Sequence, residues 1–141
     1  MHSDRPTAVR EVLTGARRIA VVGASPDPRR PSHGVVRRLV AAGYDVTPVN
    51  PNATDVLGLI AVPSLAAVEG PIDIVDVFRA AEHAPAIARA AVEAGAAALW
   101  LQQGVRSDEA RAIATAAGLE YVEDACLAVE VERSGATPRS A

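Results

Sequence analysis

Six short apolar runs alternate with helical stretches along this chain, and that alternation limits its fold more than any other feature. The runs are Arg18-Ile19-Ala20-Val21-Val22, Asp45-Val46-Thr47-Pro48-Val49, Ile60-Ala61-Val62, Ile72-Asp73-Ile74-Val75-Asp76-Val77, Ala97-Ala98-Leu99-Trp100-Leu101 and the weaker Glu120-Tyr121-Val122. Each is brief and mostly apolar, and most stop at Gly, Pro, Asn or Gln, as strands covered on both faces do.

Between the runs the apolar spacing changes to that of helices. Gly34 to Ala42 places Val35, Val36, Leu39 and Val40 on one side and stops before Gly43, a residue suited to a helix C-terminus. Residues 64–68 read as one short helix capped by Ser64. Residues 84–94 are Ala-rich, with Pro85 in the first turn. Ser107-Asp108-Glu109 supplies a cap and first-turn acids for a helix that ends at Gly118. Strands separated by helices require a parallel sheet with right-handed crossovers. The expected fold is α/β, a Rossmann-like three-layer sandwich with strand order 3-2-1-4-5 and room for a sixth strand at the edge. One domain is expected over residues 1–127, with a helix over 7–15 before the first strand. Residues 128–141 turn polar and read as a flexible C-terminal tail, and Met1 to Pro6 as a mobile start. Pro48 is tolerable only where its missing N–H would point away from the ladder.

With 141 residues the chain is one domain's worth. Half of it is hydrophobic but only 3% is aromatic, so the core is aliphatic. All fourteen basic residues are Arg. The absence of Lys excludes Schiff-base chemistry and a Walker-type phosphate site. A net charge of −3 gives no general attraction to nucleic acid. A single cysteine, Cys126, excludes an internal disulfide. No apolar run approaches the length of a membrane span, and no leader is visible. A cytoplasmic protein is the expectation.

Ligands of such sheets bind beyond the carboxyl ends of the strands, where the strand order reverses. The first strand runs into Gly23-Ala24-Ser25-Pro26-Asp27-Pro28-Arg29-Arg30-Pro31-Ser32-His33-Gly34, and a helix starts near its end. The free N–H groups of that helix favour an anion. Gly23 lets the backbone approach a phosphate. Ser25 and Ser32 offer hydroxyl donors, and Arg29 and Arg30 offer phosphate partners. A dinucleotide fingerprint needs glycine where Ser25 stands, and NAD recognition needs an acid after the second strand, where Asn50 stands. Both disfavour a nicotinamide cofactor.

Gly-Ala-Ser-Pro-Asp-Pro at 23–28, Arg-Pro-Ser-His-Gly-Val at 30–35, Val-Asn-Pro at 49–51, Asp-Val-Phe-Arg at 76–79 and Trp-Leu-Gln-Gln-Gly-Val-Arg at 100–106 together resemble the single-domain CoA-binding proteins. That family is similar to the nucleotide-binding domain of the succinyl-CoA synthetase alpha subunit. The resemblance spans residues 17–127 and implies coenzyme A lying across the strand ends. It implies that Gly23, Ala24 and Ser25, with Arg30, Ser32, His33 and Gly34, hold the ADP phosphates. Asn50 and Pro51 would line the nucleotide pocket. Val77, Phe78 and Arg79 would follow the fourth strand, with Phe78 against the adenine or the pantetheine, and Gln102 and Gln103 would border the pocket after the fifth. The chain departs from the family at His33, usually aromatic, and at Asn52-Ala53-Thr54-Asp55, often basic. The second departure implies one phosphate contact fewer.

Other residues carry weaker readings. Asp73 is expected to open its strand, and Asp76 to support the loop beyond it, without acid–base chemistry. Trp100 is expected to pack against the sheet. His83 precedes a helix and could cap it, and no histidine pair has metal-ligand spacing. Cys126 reads either as a buried structural thiol or as the partner of a mixed disulfide with the thiol of CoA. No nucleophile–base pair is visible. The expected function is therefore non-catalytic binding of CoA or an acyl-CoA, by a monomer or weak homodimer. The alternatives are a CoA-presenting subunit of a multi-chain acyl-CoA ligase and, less favoured, an NAD(P)-binding enzyme.

Overall fold

A computed structural model describes residues 6–140. Of the expected mobile start, Met1 to Pro6, residues 1–5 with His2 lie outside the described residues, and Pro6 opens the first helix. The fold is α/β, built on a five-stranded parallel sheet: β1 (Arg18–Val22), β2 (Asp45–Val49), β5 (Ile74–Val77), β6 (Ala98–Leu101) and β7 (Glu120–Val122), in the order β2-β1-β5-β6-β7. β3 (Asp55–Val56) and β4 (Leu59–Ile60) form a separate antiparallel hairpin. Among the described residues five helices flank the sheet: α1 (Pro6–Thr14), α2 (Pro31–Ala41), α3 (Ala84–Glu93), α4 (Asp108–Ala116) and α5 (Leu127–Ser134).

Alternation along each strand divides the core. Ile19, Val21, Ile74, Ala98 and Trp100 face one side, where α1, α2 and α5 supply Leu13, Val36, Leu39, Leu127 and Val131. Ala20, Val75, Val77, Leu99 and Leu101 face the other, where α3 and α4 supply Ala84, Ala88, Ala91, Ala110 and Ala114. Alanine lets those two helices lie close to the sheet and to each other. Trp100 is fully buried and its indole N–H donates to the Ala125 carbonyl at 2.8 Å. Ser107 caps α4, its Oγ accepting from Ala110 N–H at 3.0 Å.

Four expectations need correction. The run at residues 60–62 is not a full third strand: only Val62 bridges to Val49, in parallel, while Leu59–Ile60 pairs with β3. Pro48 explains the local chemistry. Its carbonyl faces outward and accepts from Val62 N–H at 3.0 Å, so the N–H it lacks would also point away from β1. Ser64 makes no side-chain cap on the short turn at Leu65–Ala67, nor does His83 on α3; His83 stands 3.7 Å from Glu82 instead. Finally, residues 127–134 are no tail. They form α5, which buries Leu127, Ala128 and Val131 and ends on Gly135 at φ 70°. The segment beyond is tied back to the start of β1: Arg139 donates to Gly15 O at 3.1 Å and to Asp73 Oδ2 at 3.2 Å. Asp73 also accepts from the N–H groups of Arg17 and Arg18, at 2.8 and 2.9 Å. Burial pushes the Asp73 carboxyl up, but those N–H groups and the Arg139 guanidinium together hold it below the usual range.

Candidate functional site

The chain leaves β1 towards β2 through α2 and reaches β5 on the opposite side, so the sheet order reverses between β1 and β5. Gly23 occupies that switch point. Its N–H donates to Val49 O at 2.9 Å, and Phe78 N–H donates to Val22 O at 2.8 Å. Its φ of 88° lies in the region that favours glycine. A β-carbon there would lie 2.8 Å from Phe78 O and 3.2 Å from Arg79 Cδ. Three strand ends thus converge on a residue without a side chain.

The loop beyond Gly23 is ordered by its own polar groups. Ser25 N–H donates to Ser32 Oγ and Asp27 N–H to Ser25 Oγ, each at 3.0 Å. Both serine hydroxyls accept in these bonds, which leaves their protons free to donate. Asn50 Nδ2 donates to Ala24 O at 2.8 Å and Asn50 Oδ1 accepts from Asn52 N–H at 2.8 Å, which fastens the loop to the end of β2. Arg29 donates to both carboxylate oxygens of Asp27 at 3.1 Å; this hydrogen-bonded pairing holds the Asp27 carboxyl below its ordinary value. Arg29 is therefore paired within the loop and does not line the cleft that the loop borders. Arg30 precedes α2, whose first turn contains Pro31 and no acidic residue.

These elements border an open cleft of about 990 Å³. Ten of the residues expected at the site line it: Gly23, Ser25, Arg30, Ser32, Asn50, Pro51, Phe78, Arg79, Gln102 and Gln103. Four do not. Ala24 and Val77 are fully buried in the core, and His33 is buried with its Nδ1 unpartnered. Gly34 follows in the same turn of α2 and also stands off the wall. Among the described residues Arg30 and Arg79 make no ion pair and both are exposed. Phe78 is half-buried: it packs on the core and borders the cleft at once. Gln102 is buried and already engaged, its Oε1 accepting from Leu127 N–H at 3.0 Å.

Sequence reasoning missed one wall. Ala86, Ile87 and Ala90 of α3 face the cleft opposite the loop, with Pro63, Ser64, Leu65 and Val105. α3 follows β5 closely in the chain, but its apolar residues, mostly Ala, do not mark which face meets the cleft and which the core. Cys126 is half-buried and lines the cleft where α5 begins. Its neighbours are pinned: Ala125 by Trp100, Leu127 by Gln102, and Asp124 by Gly104 N–H at 2.8 Å and by Arg106 at 2.6 Å. Asp76 does not support the loop. It is fully buried in β5 with both oxygens unpartnered, and burial pushes its carboxyl well above the usual range. No helix among the described residues is long and apolar enough to cross a membrane.

The chain is 40% identical over 129 residues to the uncharacterized protein YneT of Bacillus subtilis, covering 92% of this chain and 96% of that one. A hypothetical protein from Pyrococcus horikoshii superposes with a TM-score of 0.86 at 37% identity, over 94% of this chain and 98% of that one. The apo form of a dinucleotide-forming acetyl-coenzyme A synthetase 1 from Ca. Korarchaeum cryptofilum matches with a TM-score of 0.69 at 25% identity, over 79% of this chain but only 26% of the larger protein. The family model of the CoA binding domain matches residues 17–132, from the start of the sheet into α5, and the chain belongs to that family.

Proposed function

We propose that this protein binds coenzyme A or an acyl-CoA in the cleft above β1 and β5 and performs no chemistry on it. The carrying observation is the convergence of three strand ends on Gly23, flanked by two arginines that no carboxylate among the described residues neutralises. The diphosphate would lie over the Gly23–Ser25 turn, against the two serine hydroxyls, with Arg30 and Arg79 as charged partners. The adenosine would lie over the end of β2 beside Asn50 and Pro51. The pantetheine would follow Phe78 and the apolar face of α3 towards Gln103. Asn50 supports this choice over NAD: it is no carboxylate, and both ends of its amide are engaged in holding the loop. Membership of the CoA binding domain family supports the same ligand. We assign the protein to the cytoplasm.

A second reading is a subunit that presents CoA to a separately encoded ligase. The similarity to one part of a larger acetyl-coenzyme A synthetase favours it. Co-purification with a larger ligase chain would select it over a free-standing binder.

A thermal-shift panel of CoA, acetyl-CoA, NAD, NADP and ADP tests the ligand. A ligand at 100 times its Kd adds about 2.7 kcal/mol of stability. CoA is expected to stabilise and NAD is not; the reverse overturns the reading. Ser25→Asp places a carboxylate against the diphosphate and is expected to abolish the CoA shift.

A further inference from the structure

The charge along the cleft is unevenly placed, and its distribution bears on which CoA-like molecules the site distinguishes. Among the described residues the cleft's two charged side chains are Arg30 and Arg79. Both belong to the β1 turn: Arg30 stands at the N-terminus of α2, and the stem of Arg79 lies over Gly23. Arg29, the third cation of that loop, is held by Asp27. The wall at the end of β2 is neutral, made by Asn50, Pro51 and Asn52. Asn50 cannot turn its amide to a new ligand without releasing the loop, because it bonds Ala24 O and Asn52 N–H. The next ionisable residue along the chain is an exposed acid, Asp55.

In a doubly wound sheet the ribose lies over the end of the strand beside β1, here β2. Among the described residues a phosphate on that ribose would meet no cation there, whereas the diphosphate meets two. Resting on the CoA reading above, we infer that the site recognises the diphosphate and pantetheine and does not read the ribose 3′-phosphate, so that 3′-dephospho-CoA is bound as well as CoA.

Titration calorimetry of the full chain with CoA and with 3′-dephospho-CoA tests this. The two Kd values are expected to agree within about fivefold, the scale of one solvent-exposed ion pair. A larger preference for CoA overturns the inference. Arg30→Ala decides whether that arginine reaches the ribose phosphate. It is expected to weaken both ligands by the same factor; weakening of CoA alone assigns Arg30 to the 3′-phosphate and also overturns the inference. Asn52→Arg, at an exposed position, is expected to create a preference for CoA that the parent lacks. If neither ligand binds the parent chain, the CoA reading itself fails, an outcome distinct from an unequal pair of affinities.

Discussion

The Cδ of Arg79 lies across Gly23, 3.2 Å from where a β-carbon at that position would stand, with Phe78 O nearer still at 2.8 Å. The phosphate turn and the end of β5 are therefore one packed unit, and glycine is the condition for their contact. Gly23→Ala meets two costs: a φ of 88°, which L residues rarely adopt, and displacement of backbone at Phe78. A loss of about 1–3 kcal/mol is expected in urea unfolding. The CoA-induced thermal shift should fall as well, because Arg79 moves with the strand. A variant with parental stability and parental CoA response would contradict this account of the turn.

The C-terminal helix carries a second prediction. Leu127 is fully buried between α2 and the sheet, and its N–H is held by Gln102. Leu127→Ala should cost about 2–5 kcal/mol, the range for a truncated core leucine. Such a loss separates a structural helix from a dispensable extension: a polar tail would tolerate the change.

How much of this was legible beforehand follows from what each element depends on. β1, β5 and β6 were readable because strands covered on both faces need unbroken apolar runs, and theirs are short and bounded. Ser107 was readable as a cap because its bond to Ala110 is local. α5 was missed because its apolar residues, Leu127, Ala128 and Val131, sit among Glu130, Glu132 and Arg133, and its partners are distant in sequence. The third strand was over-read because Ile60 looks like a core residue yet is 79% exposed in the hairpin. At the site, the positions near Gly23 were legible from turn chemistry. That Arg29 would be taken by Asp27, and that α3 would form the far wall, depended on side-chain geometry that spacing alone does not reveal.

Cys126 borders the cleft yet is half-exposed, so its thiol can be reached by a small alkylating reagent. Bound CoA would cover that wall. Iodoacetamide labelling, followed by intact-protein mass spectrometry, should slow markedly at saturating CoA and be unaffected by NAD. Equal labelling rates with and without CoA would place the ligand elsewhere in the cleft. Under non-reducing conditions with the disulfide form of CoA, the same measurement reports any mixed disulfide at this cysteine.

Asp76 provides the pH dependence. Its carboxyl lies in the central part of the sheet, with Val21 and Trp100 as its strand neighbours and no hydrogen-bond partner. Desolvation there favours the neutral acid, so its pKa in the folded chain is raised above the ordinary 3.8. The sign follows directly. Below the ordinary value Asp76 is protonated in both states and adds no pH dependence. As pH rises above it, the unfolded chain releases the proton and the folded chain retains it. Stability then falls by about 1.4 kcal/mol per pH unit until the folded-state pKa is reached. Asp76→Asn keeps the shape and cannot ionise. Its stability relative to the parent should therefore rise over the range above pH 4 in paired urea titrations, for as long as the folded chain retains the proton. Pairing cancels the opposite trend of carboxylates such as Asp73, whose lowered values lend stability that is lost as pH falls. A gap between parent and variant that stayed constant over that range would show that Asp76 is ionised within the fold.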